Sequence, residues 1–98
     1  MNDAFADLKP FTEELHNNSQ YLVVQLYGGM AYNETKQSPY VVSAMTGKAL
    51  VMNGTQKFEA QTYSNKTVFL DWFHENATKV WADGLLDMWE QLAPYDGI

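Results

Sequence analysis

Residues 64–93 read SNKTVFLDWFHENATKVWADGLLDMWEQLA. This stretch holds all three tryptophans and five of the twelve acidic residues. At 100° per residue, Phe69, Leu70, Phe73, Ala77, Val80 and Trp81 fall within about 120° of one another. Leu85, Met88, Trp89 and Leu92 share a second face, turned from the first by about 100°. An unbroken helix would carry one stripe away from the core. Gly84 lies at the join, and glycine costs about 1 kcal/mol against alanine inside a helix. The spacing predicts helices over 66–82 and 84–93, the first capped by Ser64 or Asn65 and the second ending before Pro94. Trp72 falls outside its own stripe, between Asp71 and Glu75. It is either covered by another segment or serves as a binding anchor, a role in which tryptophan is enriched.

Upstream, residues 3–17 predict an N-terminal helix, with Pro10 in a first turn ahead of Glu13 and Glu14. Gln20–Gly28 (QYLVVQLYG) predicts a strand, with Leu22, Val24 and Leu26 inward and Tyr21, Val23, Gln25 and Tyr27 on the other face. Residues 39–45 (PYVVSAM), 48–52 and 55–63 complete the set of strands. Asn53-Gly54 marks a hairpin, read as the central pair of a type I′ turn. In the last strand Phe58, Ala60 and Thr62 take one face, and Lys57, Glu59, Gln61 and Tyr63 the other. A wet face there implies a sheet covered on one side. The expected fold is α+β within a single domain, residues 1–98: an N-terminal helix, a four-stranded antiparallel meander, and two C-terminal helices on one face.

The length suits one domain that buries somewhat over about 60% of its unfolded surface. With no cysteine, disulfides and thiolate zinc sites are excluded. The start, MNDAFADLKP, has neither a basic n-region nor an apolar h-region, so a cytoplasmic protein is expected. No apolar run is long enough to cross a bilayer.

The net charge is −6, and all six basic residues are lysines. Lacking arginine, which forks onto phosphates and guanine edges, the chain is poorly equipped for direct nucleic-acid binding. Acids concentrate at the two ends. Asp83, Asp87 and Glu90 stand at i, i+4 and i+7, within about 60° on one helix face. That row is either a solvated face or a thin phosphate mimic, with roughly half the charge density of a nucleic-acid strand. Tyr21, Tyr27 and Tyr63 sit at uncovered strand positions, where they either support one another across strands or meet a partner.

Catalytic patterns are missing. His74-Glu75 resembles the start of a zinc-protease helix, but position 78 is threonine. Asp71, His74 and Glu75 have metal-ligand spacing on a helix, yet such spacings arise readily on an ordinary solvated face. Neither metal, cofactor nor catalytic residue is therefore expected. Five of the seven asparagines, Asn17, Asn33, Asn53, Asn65 and Asn76, begin N-x-S/T sequons. A secreted glycoprotein would explain them. Asparagine with serine or threonine also clusters at turns and caps, and turns and caps are the expected setting of these five.

These features predict a small acidic non-enzymatic protein that binds and blocks a protein partner with a basic surface. By analogy of class, it is similar to phage-encoded inhibitors of bacterial defence complexes, anti-CRISPR proteins among them, and to toxin-immunity proteins. Asp71, Trp72, Glu75, Asp83, Asp87, Glu90, Tyr21, Tyr27 and Tyr63 are the expected contact residues. The alternative is a structural subunit, monomeric or a homodimer through its aromatic surface.

Overall fold

The computed structural model describes residues 5–62 and 65–98. Among them the fold is α+β, with three helices and two small antiparallel sheets. The chain forms two compact units: Met1–Leu26 with Gly84–Ile98, and Tyr27–Asp83.

The second unit is built on a three-stranded sheet in the order β1-β5-β4, from β1 (Gly29–Ala31), β4 (Ala60–Thr62) and β5 (Asn65–Phe69). The register sets Met30 opposite Val68, and Gln61 opposite Lys66. β5 is the central strand, and the adjacent residues Thr67 and Val68 are both fully buried. Burial at consecutive positions means that both faces of the strand are covered. The expected helix over 66–82 is thus corrected. Its first residues, including the β-branched pair Thr67-Val68, fit a pleated surface and pair on both edges. Of the two proposed caps, Asn65 opens β5, and Ser64 lies outside the described residues.

A second correction concerns residues 39–45. They form the helix α2 (Pro39–Thr46) instead of a strand. The Ser38 side chain accepts a hydrogen bond from the Val41 N–H at 3.3 Å, and Pro39 occupies the first turn. A serine cap followed by proline is a helix start, and it outweighs the strand preference of Val41-Val42. Val41 and Ala44, three residues apart, are fully buried. They join Ala49, Leu50, Val68, Leu70, Ala77 and Val80 in the core of this unit, with Met30, Tyr32 and Trp81 packed against it. Side chains the size of Val68 or Leu70 each contribute about 1.5–3 kcal/mol when buried.

The four-stranded meander does not form. Residues 48–52 supply only the bridge of Leu50 to Leu70 and the first residue of β2 (Met52–Asn53). The stretch 55–63 is split into β3 (Gln56–Lys57) and β4, and Phe58, expected inward, is exposed. The hairpin at Asn53-Gly54 is present, shifted by one residue. Asn53 pairs with Gln56, so Gly54 and Thr55 are the central residues. Of these, Gly54 alone has positive φ, at 65°. Glycine at the first central position follows the type II′ pattern rather than type I′.

In the first unit, α1 (Leu8–Asn17) buries Thr12, whose hydroxyl donates to the Leu8 carbonyl at 2.7 Å. Residues 20–27 keep the expected alternation, with Leu22, Val24 and Leu26 half-buried and Tyr21, Val23, Gln25 and Tyr27 exposed. The strand expected over Gln20–Gly28 does not form, and the segment makes an isolated bridge instead. Val23 bridges Gly97 in parallel, with the Asp96 N–H donating to the Leu22 carbonyl at 2.7 Å and the Val24 N–H to the Gly97 carbonyl at 3.0 Å. Parallel strands require a long crossover connection, which an antiparallel meander never needs.

α3 (Ala77–Gln91) is one continuous helix through Gly84, which corrects the expected pair of helices. Of the two apolar stripes, part of the first is seen to pack. Ala77, Val80 and Trp81 pack in the core of the second unit, while the residues from Gly84 onward belong to the first. The change of stripe at Gly84 marks a boundary between units within one helix.

Candidate functional site

The loop from Leu70 to Asn76 joins the C-terminal end of β5 to α3. Its base is pinned to the sheet: the Asp71 N–H donates to the Ala49 carbonyl at 2.7 Å, and the Val51 N–H to the Phe69 carbonyl at 2.9 Å. Above the base the loop is bonded to itself. Asp71 Oδ1 accepts from the Phe73 N–H at 3.1 Å, and the Asp71 carbonyl accepts from the His74 N–H at 2.9 Å. His74 Nδ1 accepts from the Asn76 N–H at 3.1 Å. Asn76 Nδ2 donates to the Gly47 carbonyl at 2.8 Å. Backbone polar groups that are paired in this way hold a loop in one conformation.

That conformation displays aromatics. Phe73 is fully exposed, and Trp72 is 54% exposed. Trp72 is braced edge-on by Trp81, with ring centroids 5.3 Å apart and planes at 82°. Such a pair adds about 0.5–1.5 kcal/mol beyond its buried area.

Of the nine expected contact residues, the loop therefore gathers Asp71, Trp72 and Glu75. None of the three is on a helix, as the helical spacing had supposed. Asp71 and His74 turn lone pairs toward backbone N–H groups, and no cluster of three or more metal-ligating side chains occurs among the described residues. Asp83, Asp87 and Glu90 lie on α3. Asp83 pairs with Lys79 at 2.6 Å, the Gln91 side-chain amide donates to Asp87, and Glu90 is exposed. Tyr21 and Tyr27 are exposed, and Tyr63 lies outside the described residues.

Asp96 is placed differently. Its Oδ2 accepts from the Leu22 N–H and from His16 Nε2, both at 2.8 Å. The backbone N–H first, and the imidazole second, hold its carboxyl below the ordinary carboxylate range. A general acid needs the opposite shift, so this carboxylate anchors structure.

Residues 1–98 match the glycosyl hydrolases family 31 TIM-barrel domain. The chain belongs to glycosyl hydrolase family 31. It is also 30% identical to the alpha-glucosidase of Mucor javanicus over 86 residues, which are 88% of this chain and 10% of that protein. The chain thus spans about a tenth of the length of this family 31 relative.

Family 31 membership corrects the reading as a non-enzymatic acidic inhibitor of the anti-CRISPR or immunity type. A missing catalytic constellation in 98 residues excluded nothing, because a (β/α)8 barrel takes about 250 residues and collects its catalytic groups from several strands. The acidic ends were read as a docking surface, yet Asp83 and Asp96 are both engaged within the chain. Strand β5, the loop 70–76 and helix α3 follow one another where the periodicity predicts a single helix over 66–82. No helix among the described residues is long and apolar enough to cross a membrane.

Proposed function

We propose that this chain is a segment of one barrel domain in a glycosidase that hydrolyses α-glucosidic bonds, and that the loop 70–76 contacts the sugar. The family match over residues 1–98, with the alpha-glucosidase relative, carries this reading. The loop follows a strand and precedes a helix, as substrate-binding loops of (β/α)8 enzymes do, although β5 itself pairs antiparallel with both neighbours. The parallel pairing of Val23 with Gly97 is of the kind from which such barrels are built.

Within the loop each residue has a part. Trp72, held by Trp81, offers an aromatic face for the C–H face of a pyranose ring. Asp71 has Oδ1 bound to the Phe73 N–H, a contact that does not use Oδ2, and Oδ2 accepts a sugar hydroxyl. Glycosidases work through a pair of carboxylates flanking the scissile bond, one as acid and the other as nucleophile or base. Asp71 binds and orients the sugar in this scheme.

Release of glucose from an α-glucoside by the enzyme that carries this chain is the test. Asp71→Asn removes the charge from a hydrogen bond worth about 1.5–3 kcal/mol, so kcat/KM falls about 10- to 100-fold. Trp72→Ala lowers it in the same direction, and both variants keep the native circular dichroism spectrum. An enzyme inert toward α-glucosides, or one indifferent to both substitutions, ends the proposal.

A further inference from the structure

Asn33 is exposed and sits in the sequon Asn33-Glu34-Thr35 between β1 and α2. Its side chain is fixed by its own sequon. Asn33 Oδ1 accepts from the Thr35 N–H at 2.9 Å, from the Thr35 hydroxyl at 2.8 Å and from the Lys36 N–H at 3.4 Å. All three bonds use the amide oxygen and none uses Nδ2. The hydroxyl that defines a sequon is thus hydrogen-bonded to the amide it would activate. Withdrawal of charge toward the carbonyl oxygen acidifies the Nδ2 protons.

Asn76 carries the same sequence signal in the opposite setting. It is half-buried, and its Nδ2 is committed to the Gly47 carbonyl at 2.8 Å. A saccharide on that nitrogen would have to occupy the space between the loop and the end of α2. Asn17 and Asn53 are exposed, at the end of α1 and in the β2–β3 hairpin.

From this contrast we infer that Asn33 is an N-glycan acceptor and that Asn76 is not. The donor is a lipid-linked pyrophosphoryl oligosaccharide, presented by a transferase that reads N-x-S/T. Nδ2 of Asn33 attacks the anomeric carbon of the first sugar. The N–C bond forms as the C–O bond to the pyrophosphate breaks. The lipid pyrophosphate leaves with the bonding electrons, and the Nδ2 proton passes to a base of the transferase. The reaction belongs to the secretory lumen, so it excludes the cytoplasmic compartment expected from the N-terminal residues. It is independent of the substrate proposed for the enzyme.

The test uses the enzyme isolated from its own cells. Peptides are released by protease and treated with peptide-N-glycosidase in heavy-oxygen water, which turns each glycan-bearing asparagine into labelled aspartate. The Asn33 peptide carries the label, and the Asn76 peptide does not. In the same cells Thr35→Ala abolishes occupancy of Asn33 and Thr35→Ser retains it, read as the loss or retention of one glycan step in gel mobility. An unlabelled Asn33 peptide would overturn the inference, as would Asn76 labelled to the same extent.

Discussion

Gly29 has no room for a side chain. A Cβ there would lie 2.5 Å from the Thr67 methyl, 2.8 Å from the Tyr27 ring and 3.1 Å from the Phe69 ring. The residue pairs with Phe69 at the edge of the sheet, so the backbone cannot retreat without breaking the β1–β5 ladder. Gly29→Ala is expected to cost about 1–3 kcal/mol, the range for overpacking, and a lowered urea midpoint measures it. Asp96 gives a second test, in pH. Its folded pKa is depressed, so its contribution is fully present above the unfolded value of about 3.9 and is lost as pH falls through the folded value. Asp96→Asn is expected to be less stable than the parent at pH 7. Denaturant titrations from pH 7 to 2 follow this gap, which closes below about pH 4. A gap of constant size across that range would show that the Leu22 and His16 contacts do not stabilise the ionised form. Of these two residues the sequence announced neither, because Gly29 is confined by Thr67 and Asp96 is held by His16 and Leu22, all far along the chain.

Among the elements, α3 decides most. Two helices meeting at Gly84 would accept proline there, since proline suits a first turn. One continuous helix Ala77–Gln91 would not, because proline in the interior removes a hydrogen bond and clashes with the preceding turn. Gly84→Pro is expected to cost about 3 kcal/mol or more and to lower the helical signal in circular dichroism. A neutral result favours two helices. The apolar periodicity was legible in the sequence: the stripe of Ala77, Val80 and Trp81 is the one that packs. Its continuation back to Phe69 and Leu70 was not, because a helix stripe and a strand followed by a turn place apolar residues at similar spacings over so short a run. α2 teaches the converse. Ser38-Pro39 is a local helix signal, and it outweighs the strand preference of two adjacent valines.

At the scale of the whole molecule, the exposed apolar surface is the informative quantity. Val23 is 68% exposed although it lies on the parallel pair, and Ile98 beside Gly97 is exposed as well. Strands of a (β/α)8 barrel are covered on both faces. On the proposed reading of the chain as a barrel segment, Val23 is expected to be buried in the full-length protein. Val23→Asp would then leave an unpaired charge inside, at a cost of about 4 kcal/mol or more. Thermal unfolding of the full-length protein, or loss of soluble expression, reads this out. If the variant is as stable as the parent, the parallel pair is not a barrel strand.

By itself the sequence determined an α+β chain without disulfides, the inward positions Leu22, Val24 and Leu26, the hairpin at Gly54 and the apolar face of the last helix. All of these follow from residue type and short-range period. Tertiary structure alone decided that Thr67 and Val68 lie in a central strand, that Val23 pairs in parallel with Gly97, and that Asp71 and Trp72 occupy a fixed loop. Each depends on partners tens of residues away. Pairing between distant segments is governed by which backbone groups and apolar surfaces can be satisfied together, and no local window of sequence contains that information.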